Sequence, residues 1–521
     1  MTKGWGAATA ALALTCALAA PANAAPKKLE PLNQYVVRGG DQQLLGQLGY
    51  DVTEGGGAKG HAVVATPAQA DALRAKGFTV TAPFGEAKRA QAAPPNPFGD
   101  PTHGYDVYRP WHLKPAACPG TCSGAVDDSG QPIDLQTWYE QQRAAHPDIV
   151  KKVVYGQSRF GQDLVAYKVT QNAHALSDGA KPVVFYETTQ HAREWIATEV
   201  GRRLFGYVLA HATDDSTDIP ELLRDTEMWF VPIVNVDGYD WTFQRKNTRL
   251  WRKNLRDNDG DDQLTGEDGV DTNRNWPGKW RYDEEGASDA FDSETYRGPA
   301  AASEPEVSSL DALHGKLKPK FLLDYHSYGP LILYPEGWQV ETPSTDSPAT
   351  MALAGLDDDH PAIEGFDPDV SGELYTTNGD VTYNAYSRYG SLSYTVELEP
   401  GSGPGVGGTV DGPDSFEPGG FVFQDSEAAV QDEFQRNLQF ALDLARSALN
   451  PGRPDSHIGN QAPDFVPHEF PVSYGSPQTV EVNANRDLGP VDLLWRVNGG
   501  SVHRASTSEY KGGERYGAPG V

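Results

Sequence analysis

Short apolar runs of strand length alternate with longer helical patterns between residues 102 and 450 of this 521-residue chain. The strand-like runs lie at residues 183–186, 227–234, 320–325 and 392–398. Helical patterns occupy residues 195–209, 304–314 and 425–449. This alternation is typical of α/β domains. In open α/β sheets ligands bind outside the carboxyl ends of the strands, so residues that follow these runs are the first candidates for a site.

Two potential metal ligands follow the first run. His191 and Glu194 are three residues apart on one face of a tight turn, so their side chains can converge on one ion. His326, near the end of another run, is the candidate third ligand. Three protein ligands leave a position open for water, as in catalytic zinc sites, whereas closed structural sites usually take four ligands, mostly thiolates. The chain has three cysteines, too few for such a closed thiolate site, so a catalytic zinc ion is predicted.

Several ordered segments resemble the motifs of the zinc metallocarboxypeptidase family, in particular the carboxypeptidase A, B and T group. The likeness covers about residues 134–450. It implies an α/β fold with a mixed central sheet flanked by helices, and one Zn²⁺ ion held by His191, Glu194 and His326. The matching segments are His191-Ala-Arg-Glu194, Asn235-Val-Asp-Gly238, Arg249-Leu-Trp-Arg-Lys253, Gly269-Val-Asp-Thr-Asn-Arg-Asn-Trp276, Gly298-Pro-Ala-Ala-Ala-Ser-Glu-Pro-Glu306, His326-Ser-Tyr328 and Thr395-Val-Glu-Leu398.

The resemblance implies a glutamate as general base. Zinc would polarise the scissile carbonyl and lower the pKa of its water towards about 7, and a carboxylate has to take the proton and pass it to the leaving amine. Glu397 matches the family's base. Glu399 is the alternative, because side chains two residues apart in a strand point to the same face. The surrounding pattern of residues 395–398 favours Glu397.

The segment from residue 249 to residue 268 is rich in charge. Arg252 matches the family's cation that stabilises the tetrahedral oxyanion. A solvated basic strip is expected from its neighbours Arg249, Lys253 and Arg256. The acidic insert at residues 257–262 could hold Ca²⁺, but an EF-type loop requires Gly at its sixth position and Glu at its twelfth, where this chain has Asp262 and Asp268. A solvated acidic loop is therefore favoured over a calcium site.

Three further positions match the family's grip on a free C-terminal carboxylate. Asn273 and Arg274 resemble its clamp, since a planar guanidinium binds a carboxylate through two hydrogen bonds. Tyr375 resembles the mobile tyrosine that closes on the same carboxylate. Asp380 and Thr382 match positions that line the side-chain pocket, and their polar or acidic character predicts a preference for basic or mixed C-terminal residues.

The first residues of the chain are typical of export and of a precursor. Residues 1–24 have the pattern of a signal peptide, which predicts a secreted, extracellular protein. Residues 25–86 have the order β-α-β-β-α-β of a ferredoxin-like unit. Residues 87–101 form a Pro-rich linker with a basic pair, typical of a proteolytic site. A removable pro-segment of a zymogen is the main hypothesis, and a permanent N-terminal domain is the alternative.

The remaining boundaries follow from composition. The catalytic domain is predicted at residues 102–450, and a β-rich C-terminal module or fragment at residues 451–521. Cys118 and Cys122 lie in a Pro/Gly loop and are expected to form a small disulfide in an oxidising compartment.

The formal charge of −29 argues against nucleic acid or an anionic membrane as a partner, because both require clustered Lys and Arg. The expected partners are peptides and proteins with a free C-terminus, bound by a monomer. The chain is thus predicted to be a secreted zinc carboxypeptidase. A cell-wall peptidase that cuts peptidoglycan stems on the same scaffold is one alternative, and a zinc-containing binding protein without turnover is another.

Overall fold

A computed structural model of the chain describes most of the region from residue 30 to residue 518. The described residues are 30–52, 60–83, 107–112, 134–244, 248–261, 263–340, 344–356, 360–399, 421, 423, 427–467, 480–486, 488, 491–509 and 516–518. The predicted signal peptide, the linker at 87–101 and the pair Cys118 and Cys122 lie outside these residues, so those expectations stay predictions.

A small unit at the start of the described chain has the predicted β-α-β-β-α-β order. Its sheet has the strand order β2-β3-β1-β4, and all neighbouring strands are antiparallel. Val37, Leu45, Val63 and Leu73 form its own buried core. The elements are β1 (Asn33–Arg38), α1 (Gln42–Gln47), β2 (Asp51–Val52), β3 (His61–Ala65), α2 (Pro67–Ala75) and β4 (Thr79–Val80). We call it the N-terminal unit.

An eight-stranded sheet forms the centre of the molecule, in the order β13-β10-β14-β9-β7-β8-β6-β5. The four neighbours β14, β9, β7 and β8 are parallel, and antiparallel pairs lie on both sides of them, which confirms the predicted mixed sheet. The strands are β5 (Val150–Gln157), β6 (Asp163–Val169), β7 (Val183–Thr188), β8 (Glu227–Val231), β9 (Phe321–Ser327), β10 (Leu331–Tyr334), β13 (Asp367–Val370) and β14 (Leu392–Leu398). A separate pair consists of β11 (Gly355–Leu356) and β12 (His360–Pro361).

Helices cover both faces of this sheet. Successive residues of a strand point to opposite faces, so Phe185 packs in one core cluster and its neighbours Val184 and Tyr186 pack in the other. Burial on both sides explains why β7 begins with the uninterrupted apolar run of residues 183–186. The helices are α3 (Leu135–Ala145), α4 (Trp195–Ala210), α5 (Ile219–Asp225), α6 (Val236–Thr242), α7 (Pro305–Leu317), α8 (Ser347–Ala354), α9 (Ser371–Leu374), α10 (Val381–Tyr389) and α11 (Glu427–Ser447).

The C-terminal part is rich in β-structure, as the sequence predicts. It contains a four-stranded sheet, β15-β16-β20-β19, and a hairpin of β17 and β18. Its strands are β15 (Phe465–Pro467), β16 (Val480–Ala484), β17 (Asp492–Trp495), β18 (His503–Ser506), β19 (Ser508–Glu509) and β20 (Tyr516–Ala518). Among the described helices, none has an apolar stretch of the length that crossing a membrane requires.

Candidate active site

The parallel centre of the sheet brings the predicted site residues together. Because β14, β9, β7 and β8 run in one direction, their carboxyl ends meet at one edge. His191 and Glu194 lie in the turn between β7 and α4. His326 and Glu397 are directly paired near the ends of β9 and β14. Residues far apart in sequence therefore line one cavity, which is bounded by His191, Glu194, Arg252, Asn273, Arg274, Tyr375 and Glu397.

The three predicted zinc ligands converge at the wall of this cavity, which His191 and Glu194 line. His191 Nδ1 lies 2.7 Å from Glu194 Oε1 and 3.1 Å from His326 Nδ1. His326 Nδ1 lies 2.9 Å from Glu194 Oε2, and all three side chains are buried. Tetrahedral coordination with bonds of about 2.0–2.1 Å separates ligand atoms by roughly 3.3 Å. The spacing of these atoms is close to that value, so the residues fit one zinc ion.

The electrostatics of the three side chains also favour a cation. The ring nitrogens of His191 and His326 face each other, and their lone pairs repel unless a cation or a proton lies between them. Burial by itself would raise the pKa of Glu194, but the two histidines outweigh it and hold that pKa well below its ordinary value. Two imidazoles and a carboxylate are a ligand set typical of catalytic zinc.

Asp271 connects the metal ligands to Arg252. Its Oδ2 accepts hydrogen bonds from Arg252 Nε at 3.0 Å and Nη2 at 2.9 Å, and its Oδ1 lies 3.3 Å from His191 Nε2. A carboxylate beside the second ring nitrogen orients a histidine ligand. Asp271 lies within the motif of residues 269–276, but no signal in the sequence distinguishes it from its neighbours there.

The residues of the predicted carboxylate clamp lie side by side. Arg274 Nη2 donates to Tyr375 Oη at 3.0 Å, and Arg274 Nε donates to the Gly286 carbonyl at 2.6 Å. Asn273 Oδ1 accepts from the Val381 amide at 3.0 Å. These contacts fix the guanidinium in the cavity, where it can meet an anionic group of a substrate.

The two candidate bases have different environments. Glu397 lines the cavity, and burial raises its pKa to about 8, with Glu194 acting in the same direction and His326 against it. Glu399 lies just past β14, where its Oε2 accepts a hydrogen bond from Arg436 Nη2 at 3.0 Å. The alternative base, Glu399, is thus engaged in an ion pair with Arg436, whereas Glu397 faces the metal ligands.

Asp380 and Thr382 lie at the start of α10. Asp380 Oδ1 caps this helix by accepting from the Tyr383 amide at 2.8 Å, and burial raises the pKa of Asp380. The Thr382 hydroxyl lies 2.7 Å from the hydroxyl of Thr395 on β14. Neither residue borders the cavity that contains the metal ligands. Helix α10, which carries both residues, is nevertheless connected to the cavity lining, because the Val381 amide donates a hydrogen bond to Asn273.

The N-terminal unit contributes a side chain that the sequence did not single out. Asp51 is buried in the same cavity, forms an ion pair with Arg193, and has its Oδ1 3.3 Å from Arg252 Nη1. Burial alone would raise the pKa of Asp51, but the two arginines outweigh it and lower that pKa. No local signal marks Asp51, because its partners are distant in sequence.

The predicted basic strip around Arg252 is wrong. Lys253 is 1% exposed, and its Nζ donates to the carbonyls of Phe291 and Gly266. Arg249 is buried beside the ring of Trp195. Arg256 Nη1 pairs with the buried carboxylate of Glu304 at 2.9 Å. These three cations contact residues from distant segments of the chain. Composition alone does not reveal such contacts.

The acidic insert gives no independent support for calcium. Asp257, Asp259 and Asp261 approach within 4.8 Å of one another, but the last two are exposed. Their carboxylates accept hydrogen bonds from backbone amides of the same loop, at Gly260, Asp261 and Gln263. Asp262 lies outside the described residues. Such turns are ordinary for Asp-rich loops, so a solvated loop accounts for the described part of the insert.

Comparisons with known proteins agree with this geometry. The profile of the zinc carboxypeptidase family matches residues 135–426. A metallocarboxypeptidase A-like protein of Trichophyton verrucosum is 31% identical over 304 residues, which are 56% of this chain and 67% of that protein. Carboxypeptidase B2 of Rattus norvegicus is 34% identical over 277 residues, 51% of this chain and 61% of that protein.

The fold also resembles that of a solved structure. The crystal structure of carboxypeptidase A from Helicoverpa armigera superposes with a TM-score of 0.58 at 20% identity, covering 81% of this chain and 98% of that one. At this identity the likeness concerns the fold alone. The family match over more than half of the chain carries the assignment: the chain belongs to the zinc carboxypeptidase family, the M14-type metallocarboxypeptidases, which are zinc-dependent hydrolases.

Proposed function

We propose that this chain removes single C-terminal amino acids from peptides and proteins, with Zn²⁺ held by His191, Glu194 and His326. One observation carries the proposal: the three ligands lie together, and two of them, His191 and Glu194, line the same cavity as a buried carboxylate, Glu397, and a fixed guanidinium, Arg274. This combination supplies both a hydrolytic centre and a receptor for a terminal carboxylate.

Each side chain has a task in this mechanism. Zn²⁺, when bound, supplies polarisation of the scissile carbonyl and acidifies a water molecule. Glu397 takes the proton of the attacking water and passes it to the leaving amine. Arg252, held by Asp271, stabilises the developing oxyanion. Arg274 and Asn273 hold the terminal carboxylate, and the Tyr375 hydroxyl, already next to Arg274, closes over it.

Metal dependence and end specificity test the proposal together. The protein cleaved within residues 87–101 should release the last residue of a blocked tripeptide, lose this activity with a chelator, and regain it with added zinc. The same peptide with a C-terminal amide should have a kcat/KM about 10- to 100-fold lower, because a charged hydrogen bond to Arg274 contributes roughly 1.5–3 kcal/mol. Equal cleavage of both peptides would contradict a carboxypeptidase, and cleavage of muropeptides only would favour the cell-wall alternative.

A preference for basic C-terminal residues is part of the proposal. A methyl group at Gly337 would lie 3.1 Å from both Asp380 Oδ2 and Thr377 Oγ1, so two polar oxygens point to the same space beside Gly337. An acidic group next to a side-chain pocket attracts Lys or Arg. Hydroxyls such as those of Thr382 and Thr395 also suit a polar side chain better than an apolar one.

Replacing Asp380 with Asn should lower kcat/KM for peptides ending in Lys by about 10-fold and leave peptides ending in Leu within about twofold, as expected for the loss of one charge interaction. Asn caps helices about as well as Asp, so α10 should be retained. Kinetics with paired peptides measure the change. A wild-type enzyme that cleaves Lys or Arg termini no faster than Leu or Phe would contradict this preference.

The proposal also includes a zymogen. The N-terminal unit lies against the catalytic domain through Gln43 Nε2, which donates to Thr376 Oγ1 at 2.9 Å, and through Ser293 Oγ, which donates to the Gly49 carbonyl at 2.6 Å. Asp51 forms ion pairs with Arg193 and Arg252, two arginines that line the substrate cavity. The unit therefore competes with substrate until it is removed. Secretion, supported by the pattern of residues 1–24, completes the proposal.

A further inference from the structure

Asp324 contacts the second predicted histidine ligand. It lies on β9 two residues before His326, so both side chains point to the same face of the sheet. Asp324 Oδ2 is 2.7 Å from His326 Nε2, and neither side chain is exposed to solvent. Charge-assisted contacts of this length are short and directional. The carboxylate therefore acts on the ring of His326 from behind the metal site.

The orientation of His326 gives this contact a specific consequence. Nδ1 faces Glu194 Oε2 at 2.9 Å and His191 Nδ1 at 3.1 Å, so it is the nitrogen that meets the metal. Nε2 has two neighbours with opposite demands. Asp324 can accept a hydrogen bond from Nε2, whereas the amide NH₂ of Asn273, 3.3 Å away, can only donate one to it. The closer, charged partner favours hydrogen on Nε2, which leaves the Nδ1 lone pair free.

A chain of hydrogen bonds holds Asp324 in place. Gln190 Nε2 donates to the same Oδ2 at 2.5 Å, and Trp276 Nε1 donates to Gln190 Oε1 at 2.9 Å. The indole can only donate, so it fixes which end of the Gln190 amide faces Asp324. The position of the acceptor beside His326 is thus determined by buried side chains rather than by solvent.

Asp324 differs from the carboxylate beside His191. Asp271 also pairs with Arg252, so its charge is partly compensated. Among the described residues the only ion pair of Asp324 is with His326, and Asp324 Oδ1 has no hydrogen-bond partner there. We propose that Asp324 is a positioning residue of the zinc site, which holds His326 with hydrogen on Nε2 and thereby strengthens the hold of Nδ1 on the metal. The inference rests on the proposed role of His326 as a ligand.

Zinc release tests this inference with a matched control. Partners of metal-bound histidines contribute about 10- to 100-fold to metal affinity, so Asp324→Asn should weaken zinc binding by that factor in a chelator competition. Glu187 is paired with Asp324 on the neighbouring strand and is equally buried, but it contacts His314 instead of a ligand. Glu187→Gln should therefore stay within twofold of the wild type. The melting temperatures of both metal-free variants report any general loss of stability.

Unchanged zinc affinity in Asp324→Asn, or an equal loss in both variants, would overturn the positioning role. The wild-type protein supplies a second measurement that does not depend on the folding of a variant. Long-range ¹H–¹⁵N spectra of protein with labelled histidine should assign hydrogen to Nε2 of His326, and an Nε2 atom without hydrogen would overturn the inference. A wild-type chain that binds no zinc at all would overturn the proposed function and this inference with it.

Discussion

Replacing Glu397 with Gln should lower kcat by about 10²- to 10⁴-fold, the usual contribution of a positioned general acid-base group, while the protein still binds one zinc ion. The amide keeps the size of the side chain and its place on β14 beside His326. It cannot accept a proton from water and pass it on. Steady-state kinetics of the cleaved protein and its zinc content measure the two parts of this expectation.

Glu399→Gln is the matched control for this substitution. Glu399 pairs with Arg436 at 3.0 Å, so its loss should weaken a partly buried ion pair and leave kcat within a few fold. Loss of activity in Glu399→Gln with retention in Glu397→Gln would reverse the assignment of the base. Loss of zinc from Glu397→Gln would instead indicate that this residue belongs to the ligand set.

The central strands and the pair His191 and Glu194 have local signals in the sequence, whereas His326 was assigned by its resemblance to the family motif. Strands β7, β8 and β9 are buried on both faces and contain short apolar runs, whereas β14 alternates between apolar and polar residues. The outer strand β5 is largely half-buried and carries Lys151 and Lys152, so its sequence has no such run. Strand β10 has only four residues, too few for a period to be recognised.

The side chains that surround the metal ligands were harder to predict from the sequence. His191 and Glu194 are three residues apart, whereas Asp51 reaches Arg193 from another folding unit. Asp324 lies inside an apolar run, where a carboxylate has no evident use until its contact with His326 is known. Charge and spacing identify residues that bind an ion directly, but the side chains that orient them depend on tertiary packing.

Replacing Asp51 with Asn should convert the intact, uncleaved chain from an inactive to a measurably active enzyme. Removing one partner of a buried ion pair typically costs about 3–5 kcal/mol, because the remaining charge stays buried without compensation. Here Arg193 would lose the Asp51 carboxylate, whereas Arg252 would keep its ion pair with Asp271. The affinity of the N-terminal unit for the cavity should then fall by about 10²- to 10³-fold. The activity of the intact chain, divided by that of the same chain after cleavage in the linker, measures the change.

Asp71→Asn is the control. Asp71 lies on the same unit and, among the residues that the structure describes, its one ion pair is the exposed contact with Arg74. The intact variant should therefore remain as inactive as the wild type. If the intact wild-type chain were as active as the cleaved one, the N-terminal unit would be a permanent domain and not an inhibitor. If Asp51→Asn stayed inactive while cleavage activated it, inhibition would depend on the bulk of the unit over the cavity. Asp51 enters the cavity from the edge of a small, separately packed sheet, and the carboxylate sits where Arg252 would meet an oxyanion. Arg252 therefore cannot contact the substrate and Asp51 at once, so replacing the Asp51 carboxylate with an uncharged amide should be sufficient to release activity.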